Sequence, residues 1–151
     1  MPKRLGSEAI KVGSMRLILN LLWLVTGGIW LALSYIIFGA LACIFIVTIP
    51  AGVASFRMAE YALWPFGRTV VRSTGSSSVL AGVSNVIWFL VAGLWLALGH
   101  LTTAVGQALT IIGIPLAIAN IKMIPVTCFP FGKRIVDSDA IPFGYEPMVK
   151  M

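Results

Sequence analysis

The chain has 151 residues, of which 59% are hydrophobic and only 11% charged, with a formal net charge of +6. A soluble domain carries about 25% charged residues, so this composition excludes an ordinary water-solvated globule and points to a bilayer as solvent. The cations flank apolar runs instead of gathering on a soluble domain, so a nucleic acid partner is not expected.

Taken in chain order, the first segment is a basic tail, residues 1–15 (MPKRLGSEAIKVGSM). The apolar run behind it is far longer than the roughly 7 to 15 residues of a signal h-region, and no small-residue cleavage site ends it, so an uncleaved anchor is expected. From Leu17 to Phe56 there is no Asp, Glu, Lys, Arg or His, and between Arg72 and Lys122 there is only His100. Both stretches exceed the roughly 18 apolar residues that mark a membrane-spanning helix.

The two stretches are copies. Sliding the chain by 65 positions aligns 16–71 with 81–136 without a gap. Asn20 then meets Asn85, Trp23 meets Trp88, GIWLAL from Gly28 meets GLWLAL from Gly93, and Pro65-Phe66-Gly67 meets Pro130-Phe131-Gly132. Cations repeat too, Arg57 with Lys122 and Arg68 with Lys133. Such a match reads as a tandem repeat. The resulting division is a tail over 1–15, a first membrane repeat over 16–72, a Ser/Gly-rich linker over 73–80, a second membrane repeat over 81–136, and a polar, proline-broken tail over 137–151 whose role the residues do not assign.

One helix of about 40 charge-free residues would measure some 60 Å at 1.5 Å per residue, twice the roughly 30 Å of hydrocarbon. Each repeat is therefore expected to cross twice, with helices near 17–36, 40–57, 81–99 and 104–122 and turns near 34–39 (SYIIFG) and 99–103 (GHLTT). All eleven basic residues then fall on one face, which the positive-inside rule makes cytoplasmic. The fold class expected is all-α, a polytopic plasma-membrane protein with four transmembrane helices. These form two parallel hairpin repeats, related by an axis along the membrane normal, with interfacial segments and both termini in the cytoplasm.

Within this frame Pro50 and Pro115 are read as falling late in the second helix of each repeat. A missing N–H and a ring clash bend a helix there, giving a structural kink or, on the sharper reading, a gate. Gly28 with Ala32, and Gly93 with Ala97, repeat a small-xxx-small spacing that lets helices approach closely in lipid. Asn20, Asn85 and Asn120 are candidates for polar contacts between helices. Arg57, Arg68, Lys122 and Lys133 mark the cytoplasmic boundary and are candidates for contacts with lipid headgroups, since basic residues there face an anionic leaflet. Glu60, one turn beyond Arg57, is expected to pair with it. After the boundary, MAEYALWPFGR and MIPVTCFPFGK suggest a short in-plane helix, a turn at Pro-Phe-Gly and an extended exit.

Chemistry is sparse. The carboxylates Glu8, Glu60, Asp137, Asp139 and Glu146 all lie outside the expected spans, so no proton relay is written into them. His100 is expected as a lone interfacial ring near an outer turn, and Cys43 and Cys128 as packing residues. No Ser/His/Asp set, metal-ligand spacing or phosphate loop appears. No enzyme activity, catalytic residue, metal or cofactor is therefore expected. The partners expected are membrane lipids, with a second copy of the chain or another membrane protein as further candidates. Two functions compete: a non-enzymatic membrane component acting through helix, lipid or partner contacts, and a small homo-oligomeric channel or transporter with kinked helices lining a path. A continuous polar stripe through Asn20, Asn85, Gln107 and Asn120 would favour the second.

The doubled motif, carried here by Gly113-Ile114-Pro115, Asn120, Lys122 and Pro130-Phe131-Gly132-Lys133, resembles the YccF family of bacterial inner membrane proteins over roughly 16–136. The first copy departs from it with Thr48 for the glycine and Ser55 for the asparagine. The resemblance implies two inner membrane component domains and carries over no catalytic residue.

Overall fold

The computed structural model describes residues 2–73 and 79–150; residues 74–78, most of the expected linker, lie outside them. Each repeat begins with a long helix interrupted by a single wide turn. Helix α1 (Pro2–Trp23) passes through a π-turn at Leu24–Gly28 into α2 (Ile29–Ala42). In the second repeat α4 (Val79–Trp88) passes through Phe89–Gly93 into α5 (Leu94–Ala108). The two π-turns sit at positions matching under the 65-residue offset. Each adds one residue to the turn and so rotates the face that the rest of the helix presents to its neighbours. Helix α1 starts at Pro2, so the backbone of the basic N-terminal segment is continuous with the first long helix.

The chain reverses later than expected. Positions 34–39 and 99–103 are inside α2 and α5, and the turns fall at 43–48 and 109–113. The polar residues that looked like turn formers are satisfied within the helices. Ser34 donates to the Trp30 carbonyl at 3.0 Å, Thr102 to Leu98 at 2.9 Å and Thr103 to Gly99 at 2.8 Å, a bond that serves a hydroxyl in a helix as well as a turn does. Gly39 is there for packing, because a Cβ on it would lie 3.2 Å from the Gly52 carbonyl.

The return helices are α3 (Ile49–Leu63) and α6 (Ile114–Cys128). Their positions correct the proline reading: Pro50 and Pro115 are each the second residue of a helix, not a late one. In a first turn the N–H that proline lacks has no intrahelical acceptor, and its fixed φ suits the helix, so these prolines start helices and kink nothing. We therefore expect Pro50→Ala and Pro115→Ala to shift unfolding in detergent by no more than about 1 kcal/mol; a loss of several kcal/mol in either variant would restore a bending role. Among the described residues the proline inside a helix is Pro125, in α6.

No in-plane helix follows. Each return helix runs to the Pro-Phe-Gly turn, where Gly67 and Gly132 adopt φ of +101° and +79°. Glycine enters this left-handed region without a Cβ clash, which explains its place in both copies of the motif. Next come strands β1 (Arg68–Ser73), β2 (Lys133–Asp137) and, from the C-terminal tail, β3 (Tyr145–Lys150), forming an antiparallel sheet in the order β2-β1-β3. The all-α expectation is corrected here: the helical body carries a small sheet, seeded by the β-branched runs TVV and RIV.

Repeat-equivalent residues meet at two places, which defines the symmetry. In the sheet Val70 pairs with Ile135, and among the helices the Tyr35 hydroxyl lies 2.9 Å from His100 Nε2; both pairs are 65 residues apart. A pseudo-twofold axis passes through both points. The contacts between the long helices run in opposite directions: Thr26 meets Gln107, Leu31 meets Gly99 and Tyr35 meets His100. Thr110, Ile112 and Gly113 at the second hairpin's tip share a cleft with Leu22 and Thr26, near the start of the first apolar run. The long helices of the two hairpins therefore cross antiparallel, where parallel packing of the two repeats was expected. A twofold that turns a helix into a partner running the other way must lie across the helices, not along them.

The core gathers on this axis. Trp23, Tyr35, Met58, Tyr61, Val70 and Met123 are all buried in one cluster, with Ile135 packed against it, so one face of the sheet closes the helical core. The helices Gly6–Ala42 and Val79–Ala108 are long and apolar enough to cross a membrane. The return helices, of 15 residues each, fall short of the about 20 that a span needs.

Candidate functional site

Among the described residues, polar side chains concentrate at two places. The first is a cleft on the sheet side, about 520 Å³, lined by Arg57, Glu60, Arg68, Arg134, Val136 and Asp137. A narrower cleft beside it adds Lys133 to Arg57 and Arg134. The fold assembles these cations from three elements: Arg57 from α3, Arg68 from the start of β1 just after the Gly67 turn, and Lys133 and Arg134 from β2. Of the four cations expected at headgroups, Arg57, Arg68 and Lys133 are brought together. Lys122 is exposed on α6 and is not among the residues lining either cleft.

Charge is not balanced there. Glu60 pairs with Arg68 at 3.2 Å instead of with Arg57, since the turn at Gly67 brings Arg68 back to α3. Arg72 and Lys133 stand directly opposite each other in the β1–β2 ladder, and like charges so placed repel. Burial holds the Lys133 ammonium below the usual lysine range, and Arg72 pushes it the same way. Arg134 packs its guanidinium 5.8 Å from the Tyr145 ring centre and donates to the Tyr145 hydroxyl at 3.2 Å. Arg16 is bound to Asp139 at 2.7 Å, tying α1 to the chain beyond β2. Arg134, Arg72 and Tyr145 were not among the candidate site residues, because no repeat or spacing marks a strand pairing in advance.

The second place is a chain of hydrogen bonds that runs from exposed Thr26 to a buried Tyr35–His100 contact on the pseudo-twofold axis. Thr26 donates to the Leu22 carbonyl at 2.8 Å, and Gln107 Nε2 donates to Thr26 Oγ1 at 2.8 Å. Asn120 Nδ2 donates to Gln107 Oε1 at 2.8 Å, and Asn120 Oδ1 lies 2.7 Å from His100 Nδ1. The amide of Asn120 is oriented by Gln107, so the His100 contact is satisfied by a proton on Nδ1, and the Tyr35 hydroxyl then donates to Nε2. Tyr35 also lies 2.5 Å from Thr127 Oγ1. His100 is not the lone interfacial ring expected near an outer turn: it is fully buried, because the turn lies further along at 109–113. The chain exists only once, since Val91, Ala42, Ser55 and Ala62 stand at the positions equivalent to Thr26, Gln107, Asn120 and Thr127.

The three candidate asparagines take two different parts. Asn120 belongs to this chain. Asn20 and Asn85 each bracket the backbone of the Pro-Phe-Gly turn in their own repeat. Asn20 donates to the Phe66 carbonyl at 2.9 Å and accepts from its N–H at 3.0 Å, and Asn85 holds Phe131 at 3.2 and 2.9 Å. Just above, Trp23 Nε1 donates to Ala62 O at 2.6 Å and Trp88 Nε1 to Thr127 O at 2.9 Å. Gly28 and Gly93 make room for these contacts, facing Ala62 O and Cys128 O respectively. Their close approach is thus within each hairpin; Ala32 is buried and Ala97 half-buried.

The profile of the inner membrane component domain matches residues 18–68 and 83–133, so it finds both repeats and more than half of the chain. The chain is 41% identical to the inner membrane protein YccF of Escherichia coli strain K12, over a stretch covering 44% of this chain and 53% of that protein. It is similar to the same extent to the inner membrane protein YccF of Shigella flexneri. The alignment spans about half the length of these curated relatives. No solved structure matches the chain. With both halves matched by one domain profile, and each half folded as the same hairpin closed by an asparagine-held Pro-Phe-Gly turn, the chain belongs to the YccF family of inner membrane proteins.

Proposed function

We propose that this protein is a non-enzymatic component of the bacterial inner membrane that acts by binding anionic lipid headgroups in the cationic cleft, with the sheet and both termini on the cytoplasmic side. The observation that carries this reading is the convergence of Arg57, Arg68 and Arg134 on one cleft, beside Lys133 and Arg72, which face each other across two strands. An anion seated there offsets the repulsion between Lys133 and Arg72. Guanidinium groups suit a phosphate because their planar donors bind it in pairs. The positive-inside bias favours the cytoplasmic placement of these cations.

The test is lipid retention. Purified from membranes into mild detergent, the protein should carry phosphatidylglycerol or cardiolipin in preference to phosphatidylethanolamine, as read by native mass spectrometry. Arg57→Ala combined with Arg134→Ala should lower that retention about tenfold, the equivalent of roughly 1.4 kcal/mol. Lys122→Ala should leave it unchanged. Equal retention in the double variant and the parent would refute the reading.

A further inference from the structure

We propose that the two hairpins lie across a single leaflet, entering it from the face that carries the sheet, and do not stand upright through the bilayer. The proposal rests on where the pseudo-twofold axis lies. It passes through Val70–Ile135 in the sheet and Tyr35–His100 among the helices, and the long helices run antiparallel across it. Only two upright arrangements are open to such a pair.

In one, the axis lies in the membrane plane and the hairpins enter from opposite sides. The sheet, being on the axis, would then sit at mid-depth with Arg68, Arg72, Lys133 and Arg134 in hydrocarbon. The outer edge of β2, which takes no partner among the described strands, would face lipid with its backbone groups unpaired, and neither condition is tolerated there. In the other, the axis follows the membrane normal and the helices stand nearly along it. Equivalent helices would then run side by side in the same direction, contrary to the Thr26–Gln107 and Tyr35–His100 contacts.

A third arrangement satisfies both constraints. With the axis along the normal and the helices inclined far from it, the sheet faces water, the hairpins lie beneath it, and the two tips point away from each other within the same leaflet. The tips are built for this. Ile46 and Val47 are 86% and 90% exposed, and Leu109 and Ile111 are 83% and 87% exposed, with no charged residue at 43–48 or 109–113. A turn emerging into water on the far side would normally be polar; the occupant that fits these tips is acyl chain. The 15-residue return helices, too short to span, need only reach back along one leaflet.

The experiment places single cysteines at Ile46 and Ile112 in full-length protein carrying Cys43→Ala and Cys128→Ala, with Leu109→Cys as a second reporter of the distal tip. Ala140→Cys on the sheet side serves as the water-exposed control. The expected result is that no tip cysteine reacts with a membrane-impermeant maleimide, either in intact cells or in inverted vesicles, while all react after detergent is added. Ala140→Cys should react in one orientation only. Spin labels at 46 and 112 should be reached by oxygen and not by a charged nickel chelate. Reaction of both tips from the side opposite the control would establish upright parallel hairpins, and reaction of the two tips from opposite sides would establish inverted ones; either result overturns the proposal.

Discussion

His100→Ala should destabilise the protein by about 3 kcal/mol, measured as the shift in denaturant unfolding in mild detergent. The ring is fully buried, so its removal leaves a cavity, and core truncations of this size cost about 2 to 5 kcal/mol. It also takes the His100 partner from Asn120 Oδ1, 2.7 Å away, and leaves the Tyr35 hydroxyl with Thr127 alone, and an unmet buried polar group costs about 1 to 3 kcal/mol. Relaxation and the modest worth of hydrogen bonds between membrane helices keep the total well below the sum. Thr26→Val, at the exposed end of the same chain, removes the acceptor for Gln107 and the donor to the Leu22 carbonyl while keeping the side-chain volume, so about 0.6 kcal/mol is expected. Equal effects for the two variants would mean that the chain is held by its ends and not by the Tyr35–His100 contact on the axis.

Gly28→Ala should cost about 2 kcal/mol, while Gly93→Ala at the equivalent position should be near neutral. A Cβ on Gly28 would lie 2.6 Å from Trp23 Cδ1 and 2.8 Å from Nε1, distances no real contact reaches. The indole has little freedom to yield, since it donates to Ala62 O at 2.6 Å and meets the Phe66 ring edge-on at 6.0 Å between centres. Overpacking of this kind costs about 1 to 3 kcal/mol. At Gly93 the nearest atoms, Cys128 O and Trp88 Cδ1, are both 3.2 Å away. A shift of a few tenths of an ångström relieves them, and alanine's better helix propensity offsets up to about 1 kcal/mol. Thermal unfolding of the two variants side by side checks this; a larger loss for Gly93→Ala would mean that the two hairpins are packed differently from what these distances require.

Much of the protein was legible as sequence because hydrophobic burial and repetition are local properties. The charge-free runs, the duplication at an offset of 65, the hairpin in each half and the meaning of Pro-Phe-Gly as a turn needed no coordinates. Family membership was carried by the motif that appears twice, and the domain profile matches both copies. The cations Arg57, Arg68 and Lys133 stood out because they bound the apolar runs. The turn positions did not, because Ser34, Thr102 and Thr103 can satisfy their hydroxyls inside a helix as readily as outside one. Because the turns come later in the chain, Pro50 and Pro115 stand at the starts of their helices and His100 lies in the core.

How the two copies face each other emerges from the packing alone. A duplicated sequence states that two halves are alike, but it is silent on the operator that relates them, because that operator depends on which residues of one copy touch the other. Here Tyr35 with His100 and Val70 with Ile135 set it. From that pair of contacts come the antiparallel crossing, the sheet drawn from both repeats and the cleft that gathers its cations. Composition alone places the chain in a membrane, since so many apolar side chains have no other solvent. The packing on the axis decided how the halves cross, since close contact between particular side chains, and not hydrophobicity, selects one arrangement among those that lipid would accept.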